Sequence, residues 1–448
     1  MIAPRNKFIV FAAITLCTTA LFSFLSQDLS VSIGIAFLLL VFFAVLDLFL
    51  SQGCFKGLSI ELPEMHQFSA GTEKAFIIKI LNPEMLESNI RIALDFPRYI
   101  KSPLEHMDIE LLADNAKVSY EWPVFSEKRG EYLVHYVYTE RKSKLGFFDM
   151  RKRFETKMLL RAYPDLSVDR KSVAALFLNS GNIGIHTQRI IGKGRDFEKL
   201  REYVPGDSYE DIHWKATAKR GVPITKVYQI ERTQEVYLII DSSRLSALEV
   251  PMKHGENTIY HSKFERYINA ALVMAMAAEK QRDNFGIILF DRKVTKFIRA
   301  KNGSAHYNTC RDALFTKEPE LSTPDYDELC SFIRSRLTKR ALLFFLTDLN
   351  DPILSESFIK NIQLISKQHL VIVNQIADDN VKRLFSSSEI SRLSEIYHSL
   401  GSHDSWMALE ELSKNLKRFG IRFNLLKNEE LCVDLINQYL LVKQRQLI

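Results

Sequence analysis

Two long apolar runs open the chain. Residues 8–25 carry no charge, and residues 30–50 are equally apolar except for Asp47 near their end. About 18 or more such residues are enough for a helix to cross a ~30 Å hydrocarbon core. A cleaved signal peptide is the alternative for the first run, but no small-residue cleavage site follows it and the second run begins almost at once. The pattern therefore predicts a hairpin of two transmembrane helices within residues 1–55.

The charges beside these runs predict their orientation. Arg5 and Lys7 precede the first run, the short loop carries Asp28 and no base, and Lys56 follows the second run. Because basic residues stay on the cytoplasmic side, we expect both termini in the cytoplasm. Asp47 lies within one turn of the end of its run, so we expect its side chain to snorkel to the interface, with a functional intramembrane acid as the alternative.

The pattern then changes to short alternating runs, from about Leu58 to Pro164. Clear examples are residues 75–80, 90–95, 117–122 and 132–138, with turn-forming residues between several of them. Several short strands at this spacing predict an antiparallel β-sandwich, which we assign to residues 56–165. Such a domain would either dock a partner or hold the next domain away from the membrane, and the sequence favours neither.

Apolar strands alternate with helices in the last part of the chain, residues 234–448. The expected strands are at residues 235–240, 285–290, 341–346, 369–375 and 421–426, and the expected helices at 264–281, 308–316, 405–419 and 428–442. Near-continuous apolar strands are typical of a parallel sheet that is covered by helices on both faces. The sequence thus predicts a multidomain protein that ends in a doubly wound α/β domain.

Composition narrows the class of protein. The 448 residues are 46% hydrophobic and 25% charged, and 60 basic against 54 acidic residues give a formal net charge of +6. This is globular composition, and the mild excess of bases suits a membrane neighbour better than nucleic acid. The five cysteines are scattered and form no C-x-x-C pair, so we expect reduced thiols in a cytosolic domain.

A linker region, residues 166–233, joins the two folded parts, and its end is rich in possible motifs. Within residues 190–232, which we name the signature segment, glycines, charges and aromatic residues interleave without helical or strand period. Gly192-Lys193-Gly194 suggests a phosphate-binding loop, but a Walker A motif needs another glycine where Thr187 stands. We therefore expect no ATP binding here.

Two other interpretations of the signature segment remain open. Asp207, Asp211 and Lys215 suggest a metal-dependent hydrolase or nuclease, although His213 stands where a second acid is expected. The other interpretation is a protein-binding loop, or equally an internal salt-bridge network that also includes Arg220. Its candidate binding residues are Arg201, Glu202, Tyr203, Gly206, Asp207, Asp211, Trp214 and Lys215.

Two acids end strands of the predicted sheet. Asp241 and Asp348 each follow an apolar strand, where open α/β sheets place their ligand sites. Together with Ser243 and water they would suit Mg²⁺, which prefers octahedral oxygen ligands. The alternative is that both acids cap the helices that follow.

These residues carry a family resemblance. Asp241-Ser242-Ser243 with Leu346-Thr347-Asp348 resembles the metal-ion-dependent adhesion site of von Willebrand factor A domains. Residues 192–221 closely resemble the signature of the bacterial domain-of-unknown-function 58 (DUF58) family, and residues 129–132 and 145–148 are similar to its upstream region. The resemblance implies a von Willebrand factor A-like domain without enzymatic chemistry of its own. It also implies a protein partner, a MoxR-type AAA+ ATPase, that would supply the nucleotide chemistry.

One departure weakens the metal site. The adhesion-site pattern is Asp-x-Ser-x-Ser, and Leu245 takes the place of its second serine. Ser246 is one residue late, and Ser304 only loosely matches the threonine loop of the pattern. We expect a degenerate Mg²⁺ site at Asp241, Ser243 and Asp348. The full prediction is a scaffold of the bacterial inner membrane that works in the assembly or maturation of other proteins and binds no nucleic acid.

Overall fold

The protein is described by a computed structural model. The residues that the structure describes are 1–22, 27–82, 88–111, 117–180, 191–229, 234–254, 257–378, 381, 383 and 393–445. Two compact units make up the chain, Met1–Asp165 and Leu166–Ile448.

The first unit contains two helices and a set of short strands. The helices are α1 (Asn6–Phe22) and α2 (Gln27–Leu50). The strands are β1 (Ile2–Pro4), β2 (Ser59–Glu61), β3 (Met65–Ser69), β4 (Lys74–Leu81), β5 (Ser88–Leu94), β6 (Ile100–Lys101), β7 (Met107–Leu111), β8 (Lys117–Ser126), β9 (Gly130–Lys142) and β10 (Phe148–Tyr163).

These strands form two sheets around one hydrophobic core. One sheet has the order β1-β10-β9-β5-β7, with β3 also paired to β10, and the other has the order β2-β4-β8-β6. Alternate residues of both sheets, such as Ile78, Trp122 and Leu160, point into the shared core and are fully buried. The predicted β-rich region is confirmed. The pairing is antiparallel as expected except between β3 and β10, which run parallel.

The two predicted membrane spans are wrong. Among the helices of the described residues, none combines the length and the apolar character needed to cross a bilayer. α1 covers 17 residues, and the last turn of α2 is held by polar contacts with the turn between β9 and β10. The inner-membrane location and the topology with two cytoplasmic termini were derived from these spans, so that prediction is overturned as well.

Asp47 shows what the sequence pattern missed. Its carboxylate is fully buried at the end of α2. It accepts hydrogen bonds from the hydroxyls of Ser51 and Ser143, at 3.3 and 2.6 Å, and from the backbone N–H groups of Leu145 and Phe147, at 2.8 and 3.2 Å. These four donors satisfy the buried carboxylate within the chain itself. The side chain therefore fastens α2 to the β9–β10 turn, and the expected snorkelling is wrong.

The second unit is an α/β domain with a preceding strand pair. Its strands are β11 (Ile191–Glu202), β12 (Ile224–Gln229), β13 (Glu235–Asp241), β14 (Glu249–His254), β15 (Asn257–Ser262), β16 (Asn284–Phe290), β17 (Val294–Lys301), β18 (Leu342–Leu346), β19 (Leu370–Ile376) and β20 (Arg422–Leu426). Its helices are α3 (Ser167–Ser180), α4 (Trp214–Arg220), α5 (Lys263–Lys280), α6 (Ser304–Leu314), α7 (Tyr326–Arg336), α8 (Pro352–Ser366), α9 (Leu393–Arg418) and α10 (Leu431–Gln444).

A six-stranded sheet of order β17-β16-β13-β18-β19-β20 forms its centre. All of its pairs are parallel except β16–β17. Leu238 of β13 points into a core shared with α3, α5, α6 and α10, whereas Ile239 points into a core shared with α7, α8 and α9. Burial on both faces explains the continuous apolar strands. The doubly wound α/β architecture is confirmed.

Candidate functional site

The two acids of the predicted metal site meet at one edge of the sheet. Asp241 ends β13, and Asp348 follows β18, its parallel neighbour, in which Leu346 lies opposite Ile240. Carboxyl ends of adjacent parallel strands lie at the same edge, so both side chains reach the same place. Asp241, Ser243 and Asp348 are all buried.

Asp241 is satisfied by hydrogen bonds from within the chain. Its Oδ1 accepts from the backbone N–H of Ser243 at 2.8 Å, and its Oδ2 accepts from the hydroxyl of Thr347 at 2.7 Å. The late serine, Ser246, donates its hydroxyl to the carbonyl oxygen of Asp241 at 2.5 Å, so it closes the turn. Burial, which the hydrogen bonds from Ser243 and Thr347 only partly offset, raises the pKa of Asp241 to about 6.

Asp348 has a partner that the sequence did not indicate. The ammonium of Lys263, the first residue of α5, forms an ion pair with Oδ2 of Asp348. Only 3% of the surface of either residue is exposed. Oδ1 of Asp348 accepts from the backbone N–H of Asn350 at 3.0 Å and from the amide of Gln375 at 3.3 Å. The sequence placed the helix start one residue later, at Phe264, and a lysine before a helix carries no signal of a buried role.

These residues do not fit a divalent cation. An ammonium already neutralises Asp348, and hydrogen-bond donors of the chain engage the oxygens of both acids. Leu245 supplies no oxygen from its side chain, and Ser304 lies exposed at the start of α6. Across the described ranges, no group of three or more His, Cys, Asp and Glu side chains is arranged to hold a metal ion. A cation here would have to displace Lys263 or share a buried space with its charge.

The signature segment, described over residues 191–229, contains strands that the sequence did not predict. β11 and β12 form an antiparallel pair whose register shifts twice. Such irregularities interrupt the alternation of polar and apolar residues, which explains why the segment showed no strand period. Gly192 and Gly194 lie within β11, a strand, and not in a loop that leads into a helix. Thr187 lies outside the described residues.

A tight turn follows β11. Asp207 accepts hydrogen bonds from the backbone N–H of Val204 at 3.1 Å and from the guanidinium of Arg201 at 2.6 Å, and these two contacts lower its pKa. Gly206 adopts a φ of +112°, a conformation that favours glycine. The ring of Tyr203 stacks on that of Tyr209, with 6.0 Å between centroids. Asp207 is therefore part of an internal pair that shapes the turn.

The next residues build a short helix. His213 is the N-cap of α4, and its Nδ1 accepts from the backbone N–H of Ala216 at 3.0 Å. This gives His213 a structural role at the position where a nuclease would carry an acid. Asp211 ends a 3-10 turn, while Lys215 lies exposed in α4 beside Trp214. The structure shows no shared metal site that would favour the hydrolase alternative within this part of the chain.

Two aromatic side chains of the segment, those of Trp214 and Tyr209, face solvent. Trp214 is 68% exposed and Tyr209 75% exposed. Val204 and Val222 are exposed as well, and Glu202 is an exposed residue at the end of β11. Large apolar side chains on a structured turn and helix can contact another protein without rearrangement.

A protein-family model matches part of the signature segment and part of the α/β domain that follows it in the sequence. Residues 199–391 match the family model of the protein of unknown function DUF58. The predicted resemblance to the DUF58 family is confirmed. The DUF58 match includes every candidate site residue named above, from Arg201 to Asp348. No curated protein matches the chain.

Several solved structures are similar to parts of the chain at low sequence identity. An aerotolerance-related membrane protein from Bacteroides fragilis shows 14% identity and a TM-score of 0.28 over 46% of this chain and 97% of that one. The SpRpn10 VWA domain shows 11% identity and a TM-score of 0.27 over 46% of this chain and 95% of that one. An ASH/PapD-like domain of human CEP192 shows 10% identity and a TM-score of 0.18 over 24% of this chain and 87% of that one.

Proposed function

We propose that the chain is a protein-interaction scaffold in which the signature segment contacts a protein partner. The DUF58 match and the von Willebrand factor A-like fold favour an interaction role. In this role the chain carries out no enzymatic chemistry of its own. The scaffold acts in the assembly or maturation of other proteins.

The exposed side chain of Trp214 carries the proposal. Tryptophan is among the residues that most often dominate binding energy at interfaces, because it buries a large area with few rotatable bonds. Trp214 is the first residue of α4, which the His213 cap and the left-handed Gly221 fix at its two ends. A 68% exposed indole on such a fixed helix is presented at little entropic cost to binding.

A MoxR-type AAA+ ATPase is the partner we propose. The support is the family resemblance of residues 192–221, together with the division of labour that it implies. The ATPase would supply nucleotide hydrolysis, and the scaffold would supply recognition. The nearby bases Lys215, Lys219 and Arg220 are exposed, so they would complement acidic side chains on such a partner.

The test is a binding measurement between the full-length chain and a purified MoxR-type ATPase from the same genome, with ATP present. We expect Trp214→Ala to weaken the affinity at least about tenfold, because a buried aromatic anchor contributes more than 1.4 kcal/mol. The matched control is Tyr260→Ala, which removes an aromatic ring of similar exposure, 63% against 68%, outside the signature segment. Equal losses for both variants, or no binding by the unchanged chain, would refute the proposal.

A further inference from the structure

The ammonium of Lys263 is held in place by its surroundings. Ser262 caps α5, and its hydroxyl accepts from the backbone N–H of Glu265 at 3.2 Å. The backbone N–H of Lys263 donates to the carbonyl of Leu248 at 2.8 Å. The next residue, Phe264, is fully buried in the domain core. The lysine side chain therefore extends from a rigid helix start toward the sheet edge.

The sheet edge needs a positive charge. Asp241 and Asp348 are both buried there, and the charge of Asp348 adds to the desolvation that disfavours an ionised Asp241. Buried carboxylates are stable only when a counter-charge or several donors compensate them. In an adhesion-type site the resemblance assigns that duty to a divalent cation. Here the side chain of Lys263 lies in contact with Asp348 instead.

We propose that the Lys263 ammonium takes the place of the divalent cation, so that this adhesion-type site is independent of metal. The chain supplies the compensating charge itself, 85 residues before Asp348 in the sequence. Mg²⁺ and a buried ammonium repel each other within the same few ångströms, and Mg²⁺ would also have to give up much of its hydration shell. The lysine therefore excludes the metal and at the same time performs its electrostatic role.

This inference goes beyond the proposed scaffold function and does not depend on it. A metal-dependent site changes state when metal binds, and a partner carboxylate completes its coordination. A site closed by Lys263 has one state and offers no open coordination position. Restoring the missing hydroxyl with Leu245→Ser is then expected to create no metal site, because the ammonium remains.

The first experiment measures the melting temperature of the full-length chain in EDTA, in millimolar Mg²⁺ and in millimolar Mn²⁺. We expect no metal-dependent shift for the unchanged chain or for Leu245→Ser, since a ligand that does not bind the folded state cannot stabilise it. A rise of several degrees with either metal that Asp241→Ala abolishes would overturn the proposal.

The second experiment removes the ammonium. Lys263→Ala leaves two buried acids without their counter-charge, so we expect a lower melting temperature in EDTA and a partial recovery in Mn²⁺. Lys360→Ala, which removes an exposed lysine from a surface ion pair, is the control and should show neither effect. If Mn²⁺ does not raise the lowered melting temperature of Lys263→Ala, the ammonium of Lys263 does not occupy the position of a cation, and the proposal is contradicted.

A third variant covers the case in which Lys263→Ala does not fold. The double substitution Lys263→Met with Asp348→Asn removes both charges and keeps the side-chain volumes, so its melting temperature should exceed that of Lys263→Met alone. Recovery would show that Lys263 acts through its charge, as the proposal requires. If the double variant is no more stable than Lys263→Met, the lysine acts through packing and the proposal fails.

Discussion

At the sheet edge, Asp241 and Asp348 are buried and their oxygens are engaged by donors of the same chain. In the signature segment, Trp214 and Tyr209 leave most of their surface in solvent. Sequence resemblance drew attention to both regions for the same reason, since both carry recognisable motifs. A sequence motif can therefore predict where residues lie in the fold. Whether their side chains stabilise the fold or are available to a partner depends on their burial.

The strongest test of the buried region is Asp348→Ala. This change leaves the Lys263 ammonium buried without a partner, which typically costs about 3–5 kcal/mol of unfolding free energy. Denaturant-induced unfolding of the full-length chain measures it. Asp312→Ala serves as a control, because Asp312 lies in a more exposed ion pair with Arg311. If the unfolding free energy falls by less than about 1 kcal/mol, Asp348 contributes no more than an acid in an exposed ion pair, and the prediction is wrong.

The second prediction concerns pH. Because the folded state raises the pKa of Asp241 from 3.8 to about 6, the folded chain holds this proton more tightly than the unfolded chain. The stabilisation of the folded state by the protonated Asp241 is therefore fully present below about pH 4 and is lost as the pH rises through about 6. At about 1.4 kcal/mol per pKa unit, the change amounts to about 3 kcal/mol.

Asp241→Asn isolates this contribution. The stability difference between the unchanged chain and the variant should shrink or reverse in favour of the variant between pH 4 and pH 7, as measured by unfolding at each pH. Taking the difference removes the opposing trend from acids with a lowered pKa, such as Asp207. Parallel pH profiles of the two proteins would contradict a raised pKa for Asp241.

A smaller effect on stability is expected at the start of α4, the helix that carries Trp214. His213→Ala removes the N-cap of α4 and should cost about 1 kcal/mol, as other N-cap losses do. Hydrogen exchange at the backbone amide of Ala216, which donates to His213, should become faster. Asn is a better N-cap, so His213→Asn should restore the protection. Unchanged exchange in His213→Ala would show that the cap does not hold the helix.

The smallest effect on stability is expected for Trp214→Ala. A side chain that is 68% exposed contributes little to the folded state, so the unfolding free energy should change by no more than about 0.5 kcal/mol. The same substitution is the one expected to weaken partner binding. A loss of stability above about 2 kcal/mol would mean that Trp214 belongs to the fold and would erase the contrast between the two regions.

Much of the second unit could be predicted from its pattern of apolar residues. β13 was placed to within a residue, because a strand buried on both faces needs a run of apolar side chains, here the five from Val236 to Ile240. The convergence of Asp241 and Asp348 also followed, since both acids end strands. The edge strand β17 and the helices α7 and α8 were missed. In β17 the burial alternates only weakly and charged residues interrupt the run, which is typical of an edge strand.

The errors share one physical cause. Residues 8–25 and 30–50 are apolar, but composition alone does not show what a helix packs against, and Asp47 turned out to bind a β-turn almost a hundred residues away. In the signature segment, bulges removed the alternation that would have revealed β11 and β12. In each case the deciding contacts join residues far apart in the sequence.

The sequence by itself determined the alternation of the β-rich part, the buried strands of the α/β domain and the position of two acids at strand ends. These follow from local periodicity, which depends only on neighbouring residues. Only the tertiary structure decided that Lys263 reaches Asp348, that Asp47 is enclosed by a turn and that Trp214 stays in solvent. Charge pairing and exposure depend on which distant segments pack together, and no local pattern records that.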